Sequence, residues 1–426
     1  PPSTPTVGMF PAFEPKGSLQ EWKDMANFYD RDGFEMHQYI VGTGFGSPLM
    51  ALSPIPCAAF HVHSKESGLG KTTAMFVGAS IWGKPESLVL GEADTKNSRM
   101  NRCELYHNLP VYIDELTELK GEELSSLIYQ ISSGKQKNRM TSGGVNTERV
   151  RGKPWSLLSV TTGNTSAIER VSMYKSMPKA EAQRMMETKA TRLFDKSKTK
   201  HLTDAHATNA ISIYGHACVP YMQYIIANID AVKDLMSRVQ SKIDTTAGLT
   251  AENRYWSAGA AATLTGVLIA KKLGLVNYDT NKLFKYIIKL LKENKNSTTE
   301  MNVSAADTLN DYIHEHWGSI LKIKSTDDLR KAQGNGLDGL VIPELDPKVR
   351  LVGRYETDTK HAFLIPKPLK AWCGKQQINY SSFIQELKDD FGGKTTKVRL
   401  TKGTTTILGL THVLFLDCSK LDVGVH

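Results

Sequence analysis

An apolar stretch over residues 57–63 runs into Lys65-Glu66-Ser67-Gly68-Leu69-Gly70-Lys71-Thr72-Thr73, and a helical pattern follows over 71–83. Strand, glycine-bearing turn and helix in that order restrict the chain to a few architectures. Glycines let the backbone wrap closely enough for several N–H groups to face one anion, and the helix N-terminus adds its dipole. A lysine at the turn then reaches terminal phosphates, and the hydroxyl beside it coordinates a divalent cation. Gly70, Lys71 and Thr72 are the residues those tasks require, with Ser67, Gly68, Leu69 and Thr73 completing the cradle. The consensus loop opens with a glycine five positions before the Gly-Lys pair. Lys65 stands there instead, so Gly68 is expected to supply the flexibility.

Two further strand ends belong with this loop. Leu109-Pro110-Val111-Tyr112-Ile113 is apolar and ends in Asp114-Glu115. With Thr72, Asp114 would complete the shell of a Mg²⁺ ion, and Glu115 would orient or deprotonate an attacking water. A solvated acidic turn is the competing reading of those carboxylates. A third strand over 155–162 ends in Gly163-Asn164. If it lies between the first two, Asn164 would touch a γ-phosphate and position the water, whereas Gly-Asn by itself is a plain turn. Phosphate loop, acidic strand and polar strand end, in that order, define the enlarged nucleotide-hydrolase class in which an extra strand carries a polar sensor. ATP and Mg²⁺ are the expected cofactors.

Between the second and third strands, residues 133–153 hold six basic residues against one acidic, around a central Ser-Gly-Gly. A hairpin there would place Lys135, Lys137, Arg139, Arg149, Arg151 and Lys153 against a phosphate backbone. A solvated charged loop is the alternative. Hydrolases that work as rings also supply an arginine in trans to the transition state. Arg184 is the first candidate, Arg192 the second and Arg254 the third, and a surface ion pair is the competing reading for each.

Length and patterning divide the rest. At 426 residues the chain suits two or three domains. The divisions expected are a helical lead-in over 1–55, the hydrolase core over 56–203, a helical lid or packing region over 204–326, and a C-terminal module over 327–426. Within the last, a hairpin (349–357 with 361–365), helices (369–375 and 380–391) and strands (397–400 and 411–416) suggest a winged-helix-like α+β unit. Helices are expected over 121–132, 210–229, 232–239, 253–272 and 280–293. No apolar run reaches the length of a membrane span; the nearest, 258–273, is short, rich in Ala and Gly, and reads as a buried helix. Five scattered cysteines with no paired spacing argue against a disulfide framework or a zinc site, and fit a reducing cytosol. The net charge of +9 favours a polyanionic partner. The chain opens on Pro1, and its proline-rich start has no signal-peptide pattern. A processed chain, or a piece of a longer one with a further domain upstream, is the expectation.

The run Ser67 to Thr73 followed by Ala79-Ser80-Ile81-Trp82-Gly83, the segment Leu109 to Glu115, the run Ser133 to Arg139 and the strand ending at Asn164 resemble the helicase domain of phage and mobile-element replication proteins. The resemblance is to superfamily 3 and related AAA+ replicative helicases, often fused to a primase. It covers residues 38–194, extends more weakly to Ala251-Glu252-Asn253-Arg254-Tyr255-Trp256, and stops short of the C-terminal hundred residues. It implies an AAA+-type P-loop sheet with helices on both faces and a cytoplasmic homo-oligomer, a hexameric ring. It further implies translocation on single-stranded or forked DNA and a primase domain or partner. Two rivals stay open. One is a loader or remodeller that does not unwind, and the other is an ATP-regulated DNA-binding initiator.

Overall fold

The computed structural model describes residues 7–136, 153–175, 178–192, 196–300, 304–325, 350–376, 378–402, 404 and 408–419, without the side chains of 196–200 and 300. The chain divides into two compact units, one comprising Pro1–Tyr174 with Pro178–Thr299, the other Glu300–His426 with Lys175–Met177.

The first unit opens with α1 (Leu19–Ala26), capped by Ser18, whose hydroxyl accepts the Glu21 N–H at 3.2 Å. It continues with α2 (Glu35–Gly46). Alternation follows: β1 (Cys57–His63), α3 (Lys71–Ser80), α4 (Lys96–Tyr106), β2 (Val111–Ile113), α5 (Gly121–Ser132), β3 (Leu157–Gly163), α6 (Ala167–Ser172) and β4 (Met185–Lys189). A helix between two strands supplies the crossover that parallel pairing needs. The sheet is accordingly all-parallel, ordered β2-β3-β1-β4. A further parallel bridge, Leu90 to Ile113, extends it beyond β2. The third strand therefore lies between the first two.

Helices cover both faces. Alternate β1 residues Ala58, Phe60 and Val62 face α2 and α10 (Arg254–Lys272): Gly259 of α10 sits so close that a Cβ there would stand 2.7 Å from the Ala58 Cβ, and Tyr39 of α2 meets Phe60 edge-on at 4.7 Å. α5 contacts β1 as well. Helix α10 is buried along nearly its whole length, and no described helix is long and apolar enough to cross a membrane. It approaches α2 backbone to backbone: a Cβ on Gly46 would lie 2.7 Å from the Thr263 Cα, and one on Gly266 would lie 2.6 Å from the Gly46 nitrogen.

The helix expected over 210–229 is two helices, α7 (Lys196–Ser212) and α8 (Cys218–Ala227). Between them Tyr214 pairs with Lys16, exchanging both backbone hydrogen bonds at 3.0 Å, and Gly215 turns at φ +82°. A long-range backbone pairing thus interrupts a locally helical sequence. α9 (Ile229–Ala247) and α11 (Thr280–Glu300) run longer than their patterns suggest. The second strand starts at Val111, after Pro110, which has no N–H to give a ladder. Sequence reading missed β4 entirely.

The second unit holds α12 (Ala305–Glu315), β5 (Ile320–Ile323), β6 (Gly353–Glu356), β7 (His361–Leu364), α13 (Pro366–Lys375), α14 (Tyr380–Phe391), β8 (Lys394–Val398) and β9 (Thr411–Asp417). Its sheet is ordered β5-β6-β7-β9-β8, with β5 parallel to β6 and the other pairs antiparallel. Leu309, Tyr312, Trp372 and Leu387 from the helices pack with Tyr355, Leu364 and Leu416 of the sheet. The expected β6–β7 hairpin is present, with Gly353 opposite Leu364. Helix α12 and strand β5 belong to this core, although their sequence was grouped with the helical region before residue 327.

Candidate functional site at the carboxyl edge of the parallel sheet

Register sets the site. His63 lies opposite Gly163, and Ile113 opposite Thr161, so the segments following β1, β2 and β3 emerge together at one edge. Open parallel sheets bind ligands outside the carboxyl ends of their strands.

The segment after β1 is tied down at Ser64, whose N–H donates to the Gly163 carbonyl at 3.1 Å. Gly68 and Gly70 both adopt left-handed conformations, φ +71° and +77°. These are the two positions at which the turn demands glycine. Gly70 is the N-cap of α3, and its carbonyl accepts the Ala74 N–H at 2.9 Å. The N–H groups of the first turn, with no intrahelical acceptor, open toward the same edge. Lys71 is half-buried, and its Nζ donates to the Gly163 carbonyl at 3.0 Å and the Ser64 carbonyl at 3.4 Å. Desolvation lowers its pKa, while the charges of Glu115 and Asp114 oppose that shift.

Asp114 and Thr72 meet across the site: Thr72 Oγ1 donates to Asp114 Oδ1 at 3.2 Å, and the Thr162 hydroxyl donates to the same oxygen. A hydroxyl and a carboxylate at this spacing suit Mg²⁺, which keeps several waters and takes few protein ligands. No cluster of three or more His, Cys, Asp or Glu with metal-site geometry occurs among the described residues. Glu115 adopts φ +59°, and its N–H donates to Thr162 Oγ1 at 3.1 Å. Its carboxylate accepts from the Thr117 hydroxyl and from the Thr117 N–H at 3.2 Å. The exposed Asn164 donates its N–H to the Thr117 hydroxyl at 3.1 Å. Thr117 and Thr162 therefore link the two carboxylates to the third strand end. Neither stood out in the sequence, because a threonine near a strand end has no distinguishing pattern.

The arginines separate by position. Arg192, just beyond β4, holds Glu66 of its own loop with Nε at 3.0 Å and Nη2 at 2.6 Å. Arg184 precedes β4, and β4 runs parallel to β1, with Met185 opposite Ala59 and Lys189 opposite His63. Arg184 is thus at the far end of a strand that spans roughly 13 Å. Its Nη1 donates to the Ala180 carbonyl at 2.6 Å, and its guanidinium lies 4.4 Å from the Tyr129 ring and 5.4 Å from the Tyr255 ring. Arg184 and the exposed Arg254 line one groove of about 330 Å³ with Gln183, Glu252 and Tyr255. Of the basic residues expected to meet a phosphate backbone, Lys135 and Lys153 are exposed. The Lys153 N–H and the Gln136 amide both donate to Glu104, at 3.0 and 2.9 Å. Lys137, Arg139, Arg149 and Arg151 fall outside the described residues.

Three buried histidines also escaped the sequence reading. His61 in β1 bonds Thr161 Oγ1 at 2.8 Å and the Thr165 carbonyl at 3.1 Å, and burial pushes its pKa down to about 3. His37 and His206 lie behind the loop, each lowered to about 4 by burial. Beside His37 a cavity of about 440 Å³ is bordered by Glu35, Met36, Thr191, Tyr286 and Lys289.

A parallel sheet flanked by helices, with polar residues gathered at its carboxyl edge, is a mixed α/β fold. The structure is similar to one described as SCCmec type IV Cch, an active helicase: TM-score 0.64, 16% identity, covering 96% of this chain and 72% of that one. At that identity the likeness speaks for the fold. A family model described as a domain of unknown function, DUF927, matches residues 7–150. No curated protein matches the sequence.

Proposed function

We propose that this chain is an ATP-hydrolysing motor of the replicative-helicase type, drawing a single DNA strand through a ring of identical subunits. The observation that carries the reading is the meeting of Lys71, Thr72, Asp114, Glu115 and Asn164 at one sheet edge, from three strand ends. In this reading Lys71 exchanges its carbonyl acceptors for the β- and γ-phosphate oxygens, and the α3 N-terminus holds the phosphate chain. Thr72 and Asp114 would hold Mg²⁺, which supplies charge neutralisation on the phosphates. Glu115, released from Thr117, takes the proton of the attacking water, and Asn164 holds that water in line. The cavity beside His37 is large enough for the base and sugar. Arg184, remote from its own loop, serves the neighbouring subunit, and the basic segment around Lys135 and Lys153 meets the strand. The second unit, read as winged-helix-like, binds DNA or a partner such as a primase.

Steady-state ATP hydrolysis with and without single-stranded DNA tests this, comparing the native chain with Lys71→Ala and Glu115→Gln. The expected outcome is DNA-stimulated turnover, reduced at least about 100-fold in both variants, and strand separation on a forked duplex. ATP-dependent DNA binding with no turnover in the native chain would replace the motor with a nucleotide-regulated initiator. Turnover without unwinding would point to a loader.

A further inference from the structure

His37 sits in the first turn of α2, 2% exposed, yet its closest polar partner belongs to the loop before α3. Its Nε2 lies 2.8 Å from the Leu69 carbonyl. A carbonyl can only accept, so Nε2 carries the proton and Nδ1 is bare. Nδ1 finds no hydrogen-bond partner among the described residues. The ring is fixed by aromatic neighbours, stacked on Tyr29 with centroids 5.3 Å apart and tilted against Phe34 at 5.0 Å. Leu69 stands between the two left-handed glycines, and a Cβ on Gly70 would approach His37 Nε2 to 3.1 Å. The single hydrogen bond from behind therefore acts at the sharpest part of the turn. The loop lacks the usual opening glycine, carrying Lys65 instead, so its shape depends on contacts of this kind.

We infer that His37 is a positioning residue for the phosphate loop: its Nε2–H, donated to the Leu69 carbonyl, holds the Gly68–Leu69–Gly70 turn in the form that grips a polyphosphate. This rests on the reading of that loop as a nucleotide site. Burial keeps the ring neutral, its pKa near 4, so the donor is present in one tautomer across the physiological range. Because the same ring borders the cavity proposed for the base, it joins the two halves of the nucleotide site.

Two substitutions separate the hydrogen bond from the packing. His37→Phe keeps a ring against Tyr29 and removes the donor; His37→Gln loses the ring and keeps an N–H near the Nε2 position. The measurements are KM and kcat for ATP, and inhibition by tripolyphosphate, which has phosphates but no base. His37→Phe is expected to weaken ATP (as KM) and tripolyphosphate alike, about five- to tenfold, with kcat within about twofold, as the loss of one loop hydrogen bond implies. His37→Gln should return both to within about twofold of native. Unchanged binding in His37→Phe would overturn the inference. So would weakened ATP with unchanged tripolyphosphate, because the residue would then serve the base alone. A folded His37→Gln as defective as His37→Phe would also overturn it, because an N–H restored toward the Leu69 carbonyl would then have recovered nothing. If the native chain bound neither ligand, the nucleotide reading itself would fall, and this inference with it.

Discussion

His206 offers a direct test of how the region behind the loop is built. It lies in α7 with its ring stacked on Phe28 at 4.0 Å and edge-on to Tyr29 at 4.9 Å. Only 6% of its surface is exposed, and its Nε2 has no partner among the described residues. Burial is the main reason its pKa falls to about 4, with His37 and Arg31 adding to the shift. In the unfolded chain it titrates near 6.5. Between those values the unfolded state binds the extra proton, so stability falls as pH drops through 6.5 and levels off below 4. Linkage puts the contribution at about 0.2 kcal/mol at pH 7 and about 2 kcal/mol at pH 5. His206→Phe preserves the stacked ring and cannot titrate. Its unfolding free energy relative to native should therefore rise by about 2 kcal/mol between pH 7 and pH 5, whatever its value at pH 7. Urea unfolding of both chains at the two pH values measures this, and the difference cancels contributions common to the two chains. Parallel loss of stability in native and variant would refute the reasoning, since His206 would then titrate normally in the folded protein.

Two further outcomes follow from geometry. Gly46→Ala should destabilise the first unit by about 3 kcal/mol in thermal or urea unfolding, because its Cβ would meet the Thr263 backbone at 2.7 Å and α2 and α10 would have to separate. Arg184→Ala and Lys71→Ala should each abolish ATP turnover alone and recover part of it when mixed, since a site with Lys71 intact would meet a neighbour with Arg184 intact; no recovery at any mixing ratio would place Arg184 outside the neighbour's site.

Where the chain's local chemistry decides structure, the sequence was readable to the residue. Helix α14 was expected over 380–391 and occupies Tyr380–Phe391, because Asn379 caps one end by accepting the Ser382 N–H at 3.1 Å and Gly392 closes the other at φ +59°. β1, an apolar run before a glycine turn, was equally clear. What failed were features set by distant partners. Met185-Met186-Glu187-Thr188-Lys189 has little strand propensity, and it becomes β4 by pairing with β1. The break between α7 and α8 depends on Lys16, nearly two hundred residues earlier. His37 looked like any histidine on an apolar helix, because its partner is a backbone carbonyl with no side-chain signature.

The same distinction governs the arginines, and it narrows the proposed mechanism. From sequence, Arg184 and Arg192 were near neighbours with no reason to differ in role. Once the intervening residues form a strand parallel to β1, direction alone assigns them to opposite edges of the sheet. Arg192 lands beside its own loop and pairs with Glu66, with 45% and 57% of the two side chains exposed, so the pair adds little to stability. In the proposed mechanism it exchanges that carboxylate for a bound phosphate of the same subunit. Arg184 cannot reach its own loop, and its guanidinium is already oriented by Tyr129, Tyr255 and the Ala180 carbonyl. In the proposed ring, a cation held at the sheet edge away from its own candidate nucleotide site is the one placed to meet a second subunit's phosphates. Within that proposal the trans role goes to Arg184, with Arg254 of the same groove as its nearest alternative, and a cis role to Arg192.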